Sequence, residues 1–278
     1  MSGGRAAGAL RAVVSDREPI GLLEVLATAG LQSRIDRKYL LTAEQLTAFA
    51  DRLSDGFRVL DVDGRRLHGY ESIYFDTPCL DCYHAHRQGR RRRYKVRTRC
   101  YTDTQEQLIE VKFEGRRGST DKRRLPCTDA AAAGDDLAPS ARQFVDAALA
   151  EYDVPVPRRL DPALLTSYRR ATIVDPIAEA RVTLDVDMRF APGDRLSDQL
   201  HHGPDRVLVE SKSTGSSIAD SALAELGVRP VSLSKYCVGM ALTRPHLPAN
   251  RWSRLLRQQF GWVRAARRAH PGSGGLRP

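Results

Sequence analysis

Aromatic side chains are scarce in this sequence, 6% of 278 residues, and they do not interleave with its basic runs. Proteins that grip nucleic acid strands stack bases on aromatics set among cations, so nucleic acid is disfavoured as a partner. Cysteine is also sparse: five residues, an odd number at irregular spacing, which makes no disulfide framework. No stretch approaches the ~18 consecutive apolar residues of a membrane span. The opening MSGGRAAGALRAVVSDREP lacks a signal-peptide plan, and the expected location is cytoplasmic. Neither a Walker A run nor a GxGxxG is present, which removes the P-loop and the Rossmann cradle. No Ser-His-Asp or Cys-His spacing supports a nucleophilic enzyme.

What the sequence has is positive charge in two places. Residues 89–124 contain thirteen Lys or Arg against five acids, and residues 244–278 contain eight Arg and no acid. Each segment carries +8 within a chain of net +10, so the remainder is acidic at −6. Two basic regions on an otherwise acidic protein imply polyanionic contacts: phosphate chains, nucleic acid or an anionic membrane. The apolar fraction of 41% and charged fraction of 28% suit a globular protein with a polar interior site.

Hydrophobic periodicity places most elements. Strands are expected near 33–41, 57–62, 70–76, 91–101, 107–114, 119–125, 164–174, 180–187 and 206–212. Helices are expected at 22–29, after a Thr42/Gln45 capping box, and at 138–152, 217–226 and 234–243. Side chains two apart on a strand share a face. Lys95, Arg97 and Arg99 therefore point together, as do Glu110 with Lys112, Lys122 with Arg124, and Arg181 with Thr183, Asp185 and Asp187. Arg123 and Arg170 read as solvated charges, and Tyr74 and Phe75 as core.

An acid-x-Lys pair recurs on three of these strands: Asp36/Lys38, Glu110/Lys112 and Glu210/Lys212. One such pair is ordinarily a cross-strand ion pair on a wet sheet face. Three of them, with the Arg-rich strand, point to strands that close into a barrel and put these charges in one lumen. A lumen lined by cations needs a charged occupant. Phosphate fits, since Arg grips it bidentately, Lys adds point charge, and a carboxylate can hold a divalent ion.

The run Tyr74-Phe75-Asp76-Thr77-Pro78, Arg97-x-Arg99, Glu110-x-Lys112 and Ser234-Lys235-Tyr236, in that order over about residues 33–243, resembles the VTC domain. That is the polyphosphate polymerase domain of the triphosphate tunnel metalloenzyme superfamily. No single piece is specific; the ordered set is. The resemblance implies an α+β fold, an antiparallel β-barrel (tunnel) with flanking helices, over residues 30–245, between an N-terminal extension (1–29) and a basic tail (246–278). It implies a metal-dependent polymerase that moves the γ-phosphate of ATP onto a growing polyphosphate chain, with Mn2+ or Mg2+ as cofactor. The candidate catalytic cations are Lys38, Arg97, Arg99, Lys112 and Lys235. Candidate phosphate contacts are Lys95, Lys122, Arg169, Arg181 and Lys212, and candidate metal ligands are Glu210, Asp185 and Glu110. Ser232 stands where relatives of the eukaryotic polymerase carry a second Lys. Two alternatives stay open: a tripolyphosphate or nucleoside triphosphate hydrolase of the same fold, and a non-catalytic polyphosphate-binding module.

Two features lie outside that set. Cys79, Cys82, His84 and His86 have the C-x-x-C-x-H-x-H spacing of a zinc site. In a helix or loop over 78–88, the preferred reading is a surface turn with a partly buried Cys, because one CxxC is weak evidence and structural zinc draws ligands from two separated elements. In the tail, Trp252, Leu255, Leu256, Phe260 and Val263 fall on one helical face, with Arg251, Arg254, Arg257, Arg264 and Arg268 largely elsewhere. Residues 250–268 are expected to pack on the domain itself, or to touch an anionic membrane or a departing phosphate chain.

Overall fold

The computed structural model describes residues 4–28, 35–114, 120–127, 136–177, 180–193, 199–213 and 217–264. The strands are β1 (Pro19–Ile20), β2 (Ile35–Leu41), β3 (Arg58–Leu60), β4 (His68–Asp76), β5 (Arg93–Tyr101), β6 (Glu106–Glu114), β7 (Thr120–Pro126), β8 (Asp161–Asp175), β9 (Ala180–Pro192), β10 (His201–His202) and β11 (Val207–Ser213). The helices are α1 (Arg5–Ser15), α2 (Leu22–Thr28), α3 (Ala43–Ala50), α4 (Asp81–Gln88), α5 (Pro139–Glu151), α6 (Ile218–Glu225), α7 (Lys235–Thr243) and α8 (Ser253–Phe260). Among the described residues no helix is long and apolar enough to cross a bilayer. Helix α1 was not expected from its Gly- and Ala-rich sequence; Ala6, Ala7, Leu10 and Val14 bury one face.

Eight strands run in the order β2-β11-β9-β8-β4-β5-β6-β7, every neighbour antiparallel. Register puts one set of side chains on a common face: Lys38 opposite Glu210, Glu210 opposite Thr183, Arg170 opposite Asp185, Tyr70 opposite Tyr168, Tyr74 opposite Arg97, Arg97 opposite Glu110, and Lys112 opposite Lys122. The alternate positions are apolar, among them Val182, Leu184, Val209, Ile173, Val96, Ile109 and Val111, all buried.

The sheet curls around the charged face. Lys112 on β6 interacts electrostatically with Glu210 on β11 and Asp36 on β2, five and six places away in the strand order. A flat sheet would set them roughly 24–29 Å apart, where screening removes the interaction. The arrangement is tunnel-like but not a closed barrel: among the described residues β2 and β7 pair on one side only.

The outer, apolar face is covered in two halves. Helices α1, α3 and α6 close the β2-β11-β9-β8 half around Phe49, Phe57, Leu184 and Leu223. Helix α5 closes the β4-β5-β6 half through Val145 and Leu149 against Ile109 and Phe113. The capping box is present: Thr42 Oγ1 accepts from Gln45 N–H, and the Gln45 side-chain Oε1 accepts from Thr42 N–H.

One end of the inner face is filled by α7, α4 and α8, where Tyr236, Tyr83, Trp252, Leu256 and Trp262 pack on Tyr74, Tyr168, Leu164 and Phe190. Helix α7 needs Gly239, since a Cβ there would lie 2.6 Å from Leu164 and 2.7 Å from Phe190. Asp76 ties these pieces together. Its buried carboxylate accepts from the Thr77, Cys82 and Tyr83 amides at 2.8–3.0 Å and from the Tyr236 hydroxyl. The start of α4 therefore has its orphan donors satisfied.

The tail is thus continuous with the core, and a boundary at residue 245 divides a cluster that packs as one. Trp262 donates its indole N–H to Ala241 O at 2.9 Å. We expect Trp262→Ala to lower unfolding stability by about 3–5 kcal/mol, read by urea denaturation. A loss under ~1 kcal/mol would mean the tail only rests on the surface.

Residues 78–88, which read from the sequence as a helix or loop, form helix α4, with Cys82, Tyr83 and His86 buried. No cluster of three or more His, Cys, Asp or Glu able to hold a metal occurs among the described residues, so the zinc spacing has a packing explanation. Helical repeat turns Cys82 and His86 inward together.

Candidate functional site

The inner face alternates cations with carboxylates instead of presenting an unbroken cationic wall. Glu110 is 2% exposed and takes Arg97 at 2.5 Å, Lys122 at 3.1 Å and Arg99 at 3.8 Å. Burial raises a carboxyl's pKa, but these three cations more than reverse it and hold Glu110 far below its usual range. Asp185 receives a two-pronged Arg170 at 2.6 and 2.8 Å and Lys235 at 2.5 Å. Against burial, Arg170 and Lys235 hold its pKa down as well. Lys235 opens α7, whose Ser234 cap accepts from Cys237 N–H, so the helix that fills the tunnel end also delivers this ammonium.

Glu210 is held more loosely. Lys38 lies 3.4 Å and Lys212 3.6 Å from its carboxylate. Burial opposes its ionisation, yet Lys212 and Lys38 keep its pKa well below normal. Lys38 is raised: burial lowers it, and Glu210 with Asp36 outweighs that.

At the α4 end, Glu114 takes Lys95 at 2.6 Å, Arg93 at 2.7 Å and His86 at 3.3 Å. Burial alone would raise the Glu114 carboxyl; His86 and Lys95 reverse this and hold it far below normal.

Lys112 differs from all of these. Its strand neighbours in register are Lys95 and Lys122, and it has no carboxylate within 4.0 Å among the described residues. Like charges opposite one another on a sheet are destabilising. Burial first, and Lys95 next, push its pKa down to about 8, against the pull of Glu210.

An aromatic floor supports the other cations. Tyr70 and Tyr168 stack with centroids 5.3 Å apart. Arg99 and Arg170 lie over Tyr70 at 5.4 and 5.3 Å, and Lys235 over Tyr168 at 4.4 Å. Such contacts strengthen when desolvated. Several buried polar atoms on this face have no hydrogen-bond partner among the described residues: Arg99 Nε, Ser72 Oγ, Thr166 Oγ1 and Thr183 Oγ1. Buried polar groups are normally satisfied, so a run of orphans along the lumen marks room for a polar occupant.

Of the candidate residues, Lys38, Lys95, Arg97, Arg99, Lys112, Lys122, Asp185, Glu110, Glu210, Lys212 and Lys235 are brought to this lumen, and register places Arg181 on the same face, opposite Lys212. Arg169 is not brought there. It lies between Tyr168 and Arg170, points to the opposite face, and pairs with Asp187. Asp187 leaves the face expected for it because β8 and β9 shift register at Ser167/Arg169, and Asp187 itself takes φ 55°. The alternation slips there, and Met188 and Phe190 turn inward in its place. Arg170, read as solvated, is the buried partner of Asp185. The signal was present: Tyr168 and Arg170 are in phase, while Ala171 and Ile173 mark the opposite face. Glu114 was missed because it is the last residue of its strand.

Asp185 and Glu110 do not stand ready for a metal. Each sits in a guanidinium grip that uses its oxygens, and no cluster of metal-binding side chains occurs among the described residues. Glu210 fits better, with long contacts to mobile ammonium groups only. Mg2+-type ions commonly use one or two carboxylates and complete their shell with substrate phosphates and water.

The search of curated proteins finds no match. The fold is similar to that of HpAC1 from Hippeastrum, assigned as an adenylyl cyclase with a dominant triphosphatase activity, at TM-score 0.45 and 15% identity, covering 78% of this chain and 99% of that one. It is also similar to the PH1819 protein of Pyrococcus horikoshii OT3, at TM-score 0.37 and 13% identity, covering 71% of this chain and 92% of that one. The family model of the VTC domain matches residues 33–244, the stretch that supplies every strand of the charged lumen, and the chain belongs to the VTC domain family.

Proposed function

We propose that this protein is a metal-dependent polyphosphate polymerase, moving the γ-phosphate of ATP onto a growing inorganic polyphosphate chain inside the lumen. The observation that carries the reading is Lys112. A half-buried ammonium between two others, with no carboxylate within 4.0 Å among the described residues, is destabilising on its own and is relieved by a bound polyanion. The orphaned Arg99, Ser72, Thr166 and Thr183 atoms fit the same occupant.

Phosphoryl transfer asks a protein for positioning and charge neutralisation more than for covalent chemistry. Arg97, Arg99 and Arg170 offer planar forks fixed by Glu110, Asp185 and the tyrosine floor. Lys38, Lys95, Lys112, Lys122 and Lys235 add movable charge. Arg181 and Lys212 extend the cationic wall beside Glu210. A divalent ion, Mn2+ or Mg2+, held by Glu210 together with phosphate oxygens, would supply Lewis-acid stabilisation of charge on the transferred group. Because Glu110 and Asp185 are neutralised by arginine, the described residues of the site offer fewer free carboxylates than a dedicated hydrolase is expected to carry. ATP as donor fits a cytoplasmic protein. The deciding assay incubates the protein with ATP and Mn2+ and scores long-chain polyphosphate against free phosphate. Free phosphate alone would replace the polymerase reading with the hydrolase.

The lowered Lys112 pKa has a sign that can be tested. Near pH 8 the folded protein binds this proton only partly, whereas an unfolded Lys binds it until about 10.4. The Lys112 contribution to stability therefore rises with pH between about 8 and 10.5. A phosphate ligand restores the proton, so tripolyphosphate binding at pH 8 is expected to take up protons and to weaken above it. Calorimetry in two buffers of different ionisation heat measures this uptake. Lys112→Gln should shrink it, and an unchanged uptake would place the proton elsewhere.

A further inference from the structure

Outside the lumen, six exposed arginines lie on two neighbouring segments. Some exposed arginines elsewhere pair with acids, as Arg65 does with Asp103 and Arg159 with Asp161, while Arg11, Arg124, Arg158, Arg189 and Arg229 have no acid within ion-pair distance among the described residues. Arg90, Arg91 and Arg92 in the turn after α4, and Arg251, Arg254 and Arg257 on or beside α8, are all exposed. Among the described residues none of the six has a carboxylate within ion-pair distance. Arg92 donates to Asp153 O and Arg251 to His86 O, both neutral carbonyls. The side chains of Arg91, Arg254 and Arg257 make no hydrogen bond to any described residue.

The two groups adjoin each other and the lumen. The Arg251 guanidinium reaches the end of α4 at His86 O, 3.4 Å away. His86 turns its other ring nitrogen to Glu114, and Arg93 bridges Glu114 to Arg90 O. Arg254 and Arg257 follow Arg251 at three-residue spacing, one side of a helix. Arg90, Arg91 and Arg92 at the end of α4 are thus joined by Arg251, with Arg254 and Arg257 following on α8, next to the lumen cluster of Arg93, Lys95 and Glu114. Helix α8 lies beyond the matched family region, which ends at residue 244.

We propose that this patch is a surface track that holds a long phosphate chain where it extends from the lumen. The proposal rests on the phosphate reading of the lumen and adds a second segment to it. A membrane is the weaker occupant, because Trp252, Leu256 and Trp262 are buried in the domain and leave α8 no apolar face to insert. Nucleic acid is weaker too, because both tryptophans are turned inward and cannot stack on bases.

The test is the triple variant Arg91→Gln, Arg254→Gln, Arg257→Gln, whose side chains carry no fold contacts and whose thermal midpoint should stay at the wild-type value. Affinity for long-chain polyphosphate is expected to fall on the order of a hundredfold at low salt, with a shallower salt dependence. Affinity for tripolyphosphate, which fits the lumen alone, should not change. If the variant binds long chains as the wild type does, the track is wrong and the lumen reading stands. If the wild type fails to bind tripolyphosphate, both fall. Loss of phosphatidylserine-vesicle binding with intact long-chain affinity would assign the patch to a membrane and overturn the proposal.

Discussion

Replacing Asp185 with asparagine is expected to destabilise the protein by about 3–5 kcal/mol at pH 7. Asp185 is 1% exposed and neutralises both Arg170 and Lys235. Asparagine keeps the shape but removes the charge, and leaves two buried cations on the Tyr70/Tyr168 floor next to Arg99. The folded pKa of Asp185 is depressed, so its contribution is present above about pH 4 and is lost as pH falls through the folded value. The gap between wild type and variant should therefore narrow in acid. A bound anion can replace the lost carboxylate, so tripolyphosphate should raise the melting temperature of the variant more than that of the wild type. The alternative role, a metal ligand, predicts the reverse pattern: little change without metal, and a lost response to it. A variant within ~1 kcal/mol of wild type in metal-free buffer would sink the ion-pair reading.

Glu210→Gln is expected to abolish divalent-ion dependence together with turnover while tripolyphosphate binding persists. Glu210 is the lumen carboxylate whose partners, Lys38 and Lys212, stand at 3.4 and 3.6 Å and have flexible stems. It can turn to a hard cation without breaking a guanidinium fork. Losing a metal's charge stabilisation removes several kcal/mol from the transition state, a fall in rate of about two decades or more. Metal-free affinity for tripolyphosphate should hold or tighten slightly, since one negative charge leaves the lumen. Rates across a Mn2+ titration, alongside binding in chelator, separate the two effects. Normal metal-dependent turnover in the variant would reduce Glu210 to a counter-charge for its lysines.

The alternation of charged and apolar residues on β5 and β6 was enough to place Arg97, Arg99, Glu110 and Lys112 on one face and Thr98 and Ile109 on the other. Period two leaves no freedom once one face is buried. The same rule failed on β9, where a bulge moves Asp187 out of phase; a bulge adds a residue without any change in composition. It failed on β8 for another reason. Arg169 and Arg170 are chemically alike, and only the phase of Tyr168, Ala171 and Ile173 tells them apart. The tail helix was visible in its apolar stripe, but a stripe states only that something covers it. Trp262 reaching Ala241 O names the domain's own core as the cover.

The amino-acid order by itself determined most of the strand and helix succession, the charge segregation and the motif set of the VTC domain, because these depend on local periodicity and residue chemistry. Tertiary structure decided which charges are spent on one another. Glu110 and Asp185 are committed to arginines, Glu210 has only lysines within 4 Å among the described residues, and Lys112 is left between Lys95 and Lys122. Those differences arise from the curl that brings β6 opposite β11 and β2, across strands distant in the sequence, and from distances that decide whether a carboxylate is neutralised or free to bind.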